Sequence, residues 1–170
     1  LPRLKLMLYE YQTGPLLEKL RDGELDLGIL ALPVPTDGLE TAPLYDEPFT
    51  VAMPANHPLA ERERIKLEDL RGETLLLLED GHCLRDQALE VCSRIRLNEE
   101  QDYRATSLET LRQMVAAGHG LTLLPELAAD TPVGVARGLR IKSFAKPVPV
   151  RAIGAVWRKS TTRGPAIDAV

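Results

Sequence analysis

The chain carries two cysteines, Cys83 and Cys92, and both lie in one stretch, DGHCLRDQALEVC, residues 80–92. A thiol can bond another thiol, hold a metal, or attack an electrophile as its thiolate. The spacing between the two sulfurs decides which of these is open. Leu84, Ala88, Leu89 and Val91 recur as the inward stripe of a predicted helix over about residues 82–93. The nine positions from 83 to 92 advance ~13–14 Å along such a helix and rotate by ~900°, which puts the cysteines on opposite faces. A disulfide needs Cα atoms about 4.4–6.8 Å apart. Either the pair never bonds, or bonding dismantles the helix.

The two thiols are not equivalent. Asp80 and Gly81 mark a helix start, so Cys83 falls in the first turn. There the free N–H groups and the positive end of the macrodipole favour a thiolate. His82 and Arg85 add donor or positive groups beside it. Cys92 lies at the far end, where the dipole and Glu90 disfavour an anion. Cys83 therefore suits attack and Cys92 suits resolution. An oxidant would turn Cys83 into a sulfenic acid that condenses with Cys92. Cysteines also serve as small buried hydrophobes, and spacing alone leaves that reading open. His82 and Arg85, taken singly, read as a helix-start histidine and a solvated arginine.

The bulk composition narrows the partners. The chain has 170 residues, 44% hydrophobic and 27% charged, with a net charge of −4. That is an ordinary globular composition, and the acidic balance excludes a nucleic-acid footprint on this segment. Aromatics make up 4%, too few for base-stacking platforms. Two cysteines at this spacing, with His57 and His119 far off, match no zinc pattern, so no metal and no cofactor is expected. No apolar run approaches the ~20 residues of a membrane span. Sparse cysteines and no leader pattern point to a reducing, cytoplasmic setting. The alternation at Leu4, Leu6 and Leu8, and a helix beginning near residue 167, read as a piece of a longer chain.

Elements that position the cysteine segment alternate in a βαβ rhythm. A strand is predicted at about residues 3–10. Thr13 is expected to cap the next helix, with Pro15 in its first turn, Gly23 past its end, and Leu16, Leu17 and Leu20 inward. LDLGILAL, residues 25–32, reads as a parallel strand covered on both faces. A turn at residues 34–38 leads to two strands, 39–46 and 48–54, broken at Asp46-Glu47-Pro48. NHPLAERERI, residues 56–65, reads as polar turn, followed by a short helix at 66–71. TLLLLE, residues 74–79, is a buried strand before the cysteine helix. Then come a strand at 102–106, a helix capped by Ser107 with Leu108, Leu111 and Val115 inward, a short strand at 121–125, and strands at 139–144 and 151–157. Breaks near Pro48 and near Pro147–Pro149 are consistent with crossings between two lobes, although one doubly wound sheet fits the same pattern.

GHCLRDQALEVC, followed by RATSLETLRQMVAAGHGLTLLP over residues 104–125, closely resembles the regulatory domain of the LysR-type transcriptional regulators, and within them the peroxide-sensing kind. GELDLGIL (23–30), NHPLA (56–60) and VAAGHGLTLLP (115–125) carry the general LysR-like character. GHCLRD, with a second cysteine nine residues after the first, carries the peroxide-specific one. The resemblance runs over essentially the whole chain. It implies an α/β fold of two Rossmann-like lobes, like the type II periplasmic binding proteins, lacking its first strand and helix. Lobe I would be residues 1–46 and 151–170, and lobe II 47–150 with both cysteines. The N-terminal helix-turn-helix would lie outside the chain.

The resemblance also implies roles. Cys83 would be the peroxidatic cysteine and Cys92 the resolving one. His82 would stand beside the reactive thiol, Thr13 would help hold peroxide, and Arg151 would favour the thiolate. Thr13 is equally a helix cap, and Arg151 equally the partner of a surface carboxylate. His119 is assigned nothing. The partners implied are hydrogen peroxide, a second copy of the domain in a dimer, and a tetramer of the full-length protein. DNA and RNA polymerase would be reached only through that full-length protein. On this reading the chain is a redox switch and not an enzyme. Two other classes stay open: a thiol peroxidase that turns over, and a metabolite-binding effector domain with incidental cysteines.

Overall fold

The structure is a computed structural model of the 170-residue chain and describes residues 5–93, 95, 98–129 and 138–167. The chain divides into two compact units, Leu1–Tyr45 with Ala152–Val170, and Asp46–Arg151. Helices and strands follow in the order α1 (Thr13–Asp22), β1 (Gly28–Leu32), β2 (Leu39–Pro54), β3 (Thr74–Leu78), α2 (Cys83–Cys92), β4 (Asn98–Ala105), α3 (Leu108–Ala116), β5 (Thr122–Pro125), α4 (Glu126–Ala129), β6 (Leu139–Ser143), β7 (Val150–Arg158) and α5 (Gly164–Ile167).

The first unit is built around α1 and the β1–β7 ladder. Leu17 and Leu20 of α1 are buried against Leu30, Leu39 and Val156. Gly23 closes the helix in the left-handed conformation, φ 78°, its N–H bonded to the Leu20 carbonyl at 3.2 Å. Thr13 does not cap α1. The cap is Gln12, whose side chain makes no cap bond, and Thr13 is the first helical residue. Pro15 has no N–H to offer a cap, and the Leu16 N–H is already donated to the Gln12 carbonyl at 3.0 Å.

Other departures from the expected elements also lie here. The strand expected at residues 3–10 is absent over 5–10, whose residues are all exposed, and its first two positions lie outside the described residues. With no ladder partner among the described residues, alternation alone does not make a strand. The apolar run at 25–32 is strand only from Gly28, and it pairs antiparallel with β7, Gly28 facing Val156 through Leu32 facing Ala152. It is not covered on both faces, since Ile29 is 58% exposed. The two strands expected at 39–46 and 48–54 are one continuous strand, β2.

The second unit holds the larger core. The end of β2 pairs antiparallel with β5 on one side and β6 on the other. β3 and β4 pair in parallel. A parallel pair needs a crossover, and α2 supplies it. The cysteine helix is thus the middle of a β3–α2–β4 unit. Its start stands beyond the carboxyl end of β3, where open α/β sheets place their sites. Leu84, Ala88 and Cys92 of α2 pack into a core with Leu75, Leu76, Leu77, Leu78, Leu111 and Val115. The polar stretch at 56–65 and the helix expected at 66–71 contain 3-10 turns, Pro58–Glu61 and Leu67–Leu70. Ser107 caps α3 as predicted, accepting from the Thr110 N–H at 3.2 Å. Gly120 lets the chain approach β3, since a Cβ there would meet the Thr74 carbonyl oxygen at 2.6 Å.

Candidate functional site

Gly81 turns the chain into α2 with φ 92°, a left-handed backbone that glycine adopts without strain. His82 is the N-cap residue in extended conformation, half-buried, with no side-chain cap bond. Its carbonyl accepts the Arg85 N–H at 3.0 Å. Cys83 is the first helical residue and is partly exposed, whereas Cys92 is the last and is 5% exposed. Both thiols are free. The ten-residue helix between them is intact, so the rise and rotation computed from its length hold for the folded chain.

Cys92 shares the inward stripe with Leu84 and Ala88. Burial pushes its thiol up from 9.0 to about 11. The cause is removal from water. Burial therefore makes Cys92 a weaker acid than a free thiol, with less of the nucleophilic thiolate at any given pH.

Charged side chains that flank α2 fall into two groups. Asp80 bridges two arginines, taking Arg85 Nε at 2.8 Å and Arg104 Nη1 at 2.7 Å. Arg85 is buried, 8% exposed, where the sequence suggested a solvated side chain. The second group centres on Arg151. Its Nε donates to Glu47 Oε2 at 2.8 Å, its Nη2 lies 2.6 Å from the same oxygen, and its Nη1 donates to Gln87 Oε1 at 3.4 Å. Glu47 is 3% exposed, and its other oxygen accepts the Leu127 N–H at 3.3 Å. Gln87 stands one turn after Cys83, so the two share a helix face with Cβ atoms about 5–6 Å apart.

The second unit thus gathers Cys83, Cys92, His82 and Arg151 on or against one helix, while Thr13 belongs to the first unit. Sequence reasoning missed Glu47 and Gln87. The i, i+4 relation of Gln87 to Cys83 was a readable signal. Among the described residues, no grouping of three or more His, Cys, Asp or Glu could hold a metal ion, and no helix is long and apolar enough to cross a membrane.

Comparison with known proteins places this geometry in a family. The family model described as the LysR substrate binding domain matches residues 1–170. The DNA-binding transcriptional dual regulator OxyR of Escherichia coli K12 is 49% identical over 157 residues, covering 92% of this chain and 51% of that protein. The chain therefore spans about half the length of the curated relatives it matches. The reduced form of the OxyR regulatory domain from Pseudomonas aeruginosa superposes with a TM-score of 0.85 at 42% identity, over 98% of this chain and 80% of that one. The oxidised form of an OxyR superposes with a TM-score of 0.84 at 46% identity, over 99% and 79%. The fold is that of these domains, two-lobed and like the periplasmic binding proteins.

Proposed function

The chain belongs to the LysR substrate-binding domain family, and from that premise we propose that it is the hydrogen-peroxide-sensing regulatory domain of a transcriptional activator. The observation that carries this reading is the placement of the thiols. Cys83 opens α2 partly exposed, Cys92 closes it buried, and the chain is 49% identical, over 92% of its length, to a hydrogen peroxide-inducible genes activator of Escherichia coli. In this reading the Cys83 thiolate attacks one peroxide oxygen, the O–O bond breaks, and hydroxide leaves and takes a proton to become water. Cys83 becomes a sulfenic acid. Cys92 then displaces its hydroxyl as water, and a Cys83–Cys92 disulfide forms. His82 and Arg151 serve the anionic sulfur, and Thr13 helps hold peroxide.

The burial of Cys92 makes the second step conditional. While α2 is ordered, the sulfur is distant and its thiolate is scarcer than that of a free thiol. Opening the helix acts on both, by freeing the sulfur to approach and by returning its thiol toward an ordinary acidity, which raises its thiolate fraction. The helix is then an order-changing switch. Its two forms present different surfaces for dimer pairing. That change would pass to a helix-turn-helix in the remainder of a longer protein, which would contact DNA and RNA polymerase. In these terms Leu1–Tyr45 with Ala152–Val170 serves as lobe I and Asp46–Arg151, with both cysteines, as lobe II. The protein works in the cytoplasm and consumes about one peroxide per domain, as a switch and not an enzyme.

The test is a peroxide titration of the reduced protein, with thiols mapped by mass spectrometry. The reading expects one equivalent to yield the Cys83–Cys92 disulfide, and Cys92→Ser to stop at sulfenic Cys83. Peroxide that leaves both thiols untouched overturns it. Continuous consumption with a reductant supplied makes the protein a thiol peroxidase instead.

A further inference from the structure

We propose that Gln87 is a positioning residue of this switch: it ties α2 to the buried Glu47–Arg151 pair and so sets how readily the helix gives way to the disulfide. The proposal rests on the peroxide-sensing reading of Cys83 and Cys92. Its ground is the arrangement of four elements around one guanidinium. Glu47 belongs to β2, Arg151 to β7, Gln87 to α2, and the Leu127 N–H to the first turn of α4. Glu47 is 3% exposed and takes both Arg151 Nε and the Leu127 N–H, while Arg151 is 17% exposed at its side chain. A buried pair with its remaining groups bonded is a fixed point of the unit. The guanidinium has donors to spare, and one of them, Nη1, is aimed at the Gln87 carbonyl oxygen.

That bond exists only in the ordered helix. Closing a Cys83–Cys92 disulfide unwinds the segment that contains Gln87, so the bond is lost in the oxidised form. The Glu47–Arg151 pair lies outside the segment and is not spent. An interaction present in one form and absent in the other shifts the equilibrium by its own worth. The Gln87 bond therefore favours the dithiol.

Substitution separates this role from ordinary helix chemistry. Alanine forms helix better than glutamine. If Gln87 only filled a helical position, Gln87→Ala would favour the dithiol. If it is the tether, Gln87→Ala favours the disulfide.

The experiment equilibrates the full-length protein in dithiothreitol redox buffers and reads the disulfide-to-dithiol ratio by alkylation and mass spectrometry. Gln87→Ala should raise that ratio roughly three- to tenfold, equivalent to about 15–30 mV for the two-electron couple. Gln87→Glu, which keeps an acceptor for Arg151, should hold it at or below the wild-type value. In an Arg151→Lys background, where the ammonium still faces Glu47 but the forked donors are gone, Gln87→Ala should change the ratio less than twofold. An unchanged or lowered ratio in Gln87→Ala overturns the proposal. So does a full-sized shift in the Arg151→Lys background. If the unsubstituted protein forms no Cys83–Cys92 disulfide, the peroxide-sensing reading itself has failed, and that is read before any variant is made.

Discussion

Cys83 and Cys92 occupy the first and last positions of one ten-residue helix, the first partly exposed and the second buried. The same fold that keeps the sulfurs apart also weakens Cys92 as an acid, by removing it from water. Separation and deactivation thus share one cause, and one event relieves both. Each consequence below follows from a particular residue around that helix.

Cys92 titrates in two different ranges according to whether α2 is folded. In Cys83→Ser, the rate of Cys92 alkylation by iodoacetamide should climb with pH toward a midpoint of about 11 in the native protein, and toward 9.0 in strong urea. The stability effect has a definite sign. Below 9.0 both states hold the proton and stability is flat with respect to this group. Between 9.0 and about 11 the unfolded chain releases it first, so stability falls as pH rises. A native midpoint equal to the urea value would mean that Cys92 is not buried.

Glu47 neutralises a guanidinium that is 17% exposed. Glu47→Gln keeps the shape but removes the charge, and leaves Arg151 largely desolvated without its counter-ion. Urea unfolding followed by circular dichroism should show a loss of about 2–4 kcal/mol. The midpoint should drop with little change in slope. A loss below 0.5 kcal/mol would place the pair among the weak surface bridges.

Gly81 delivers the chain to Cys83 with φ 92°. Alanine there pays the left-handed penalty of about 1–2 kcal/mol. For a chain of this size that is a fall in melting temperature of roughly 2–8 °C. Calorimetry of reduced Gly81→Ala checks it, and an unchanged melting temperature would contradict it.

The cysteine helix was legible because every local signal agreed. A turn glycine, an apolar stripe at 84 and 88, and a boundary near 93 all point the same way, and α2 spans Cys83–Cys92. The cap of α3 was legible for the same reason, since Ser107 and the Thr110 N–H are three residues apart. What failed was what depends on partners. GILAL reads as a buried strand whether its neighbour is parallel or antiparallel, and β7, more than a hundred residues later, decides. Leu6 and Leu8 alternate correctly, yet no ladder forms over residues 5–10. Thr13 has the chemistry of a cap, but Pro15 lacks an N–H and Leu16 gives its own to the Gln12 carbonyl. In the site, the two thiols were local and visible. Glu47 was not, because its partner Arg151 is 104 positions away. Nor was the burial of Arg85, since nothing in its neighbours distinguishes a covered arginine from a solvated one.

The most direct measurement is hydrogen exchange of the amides of residues 83–92, before and after one equivalent of peroxide, with the thiol state read from the same samples. The account predicts protected amides in the dithiol form and loss of that protection in molecules that carry the Cys83–Cys92 disulfide. A disulfide formed while the segment keeps its protection would contradict it, because the helix would then have joined its two ends without opening.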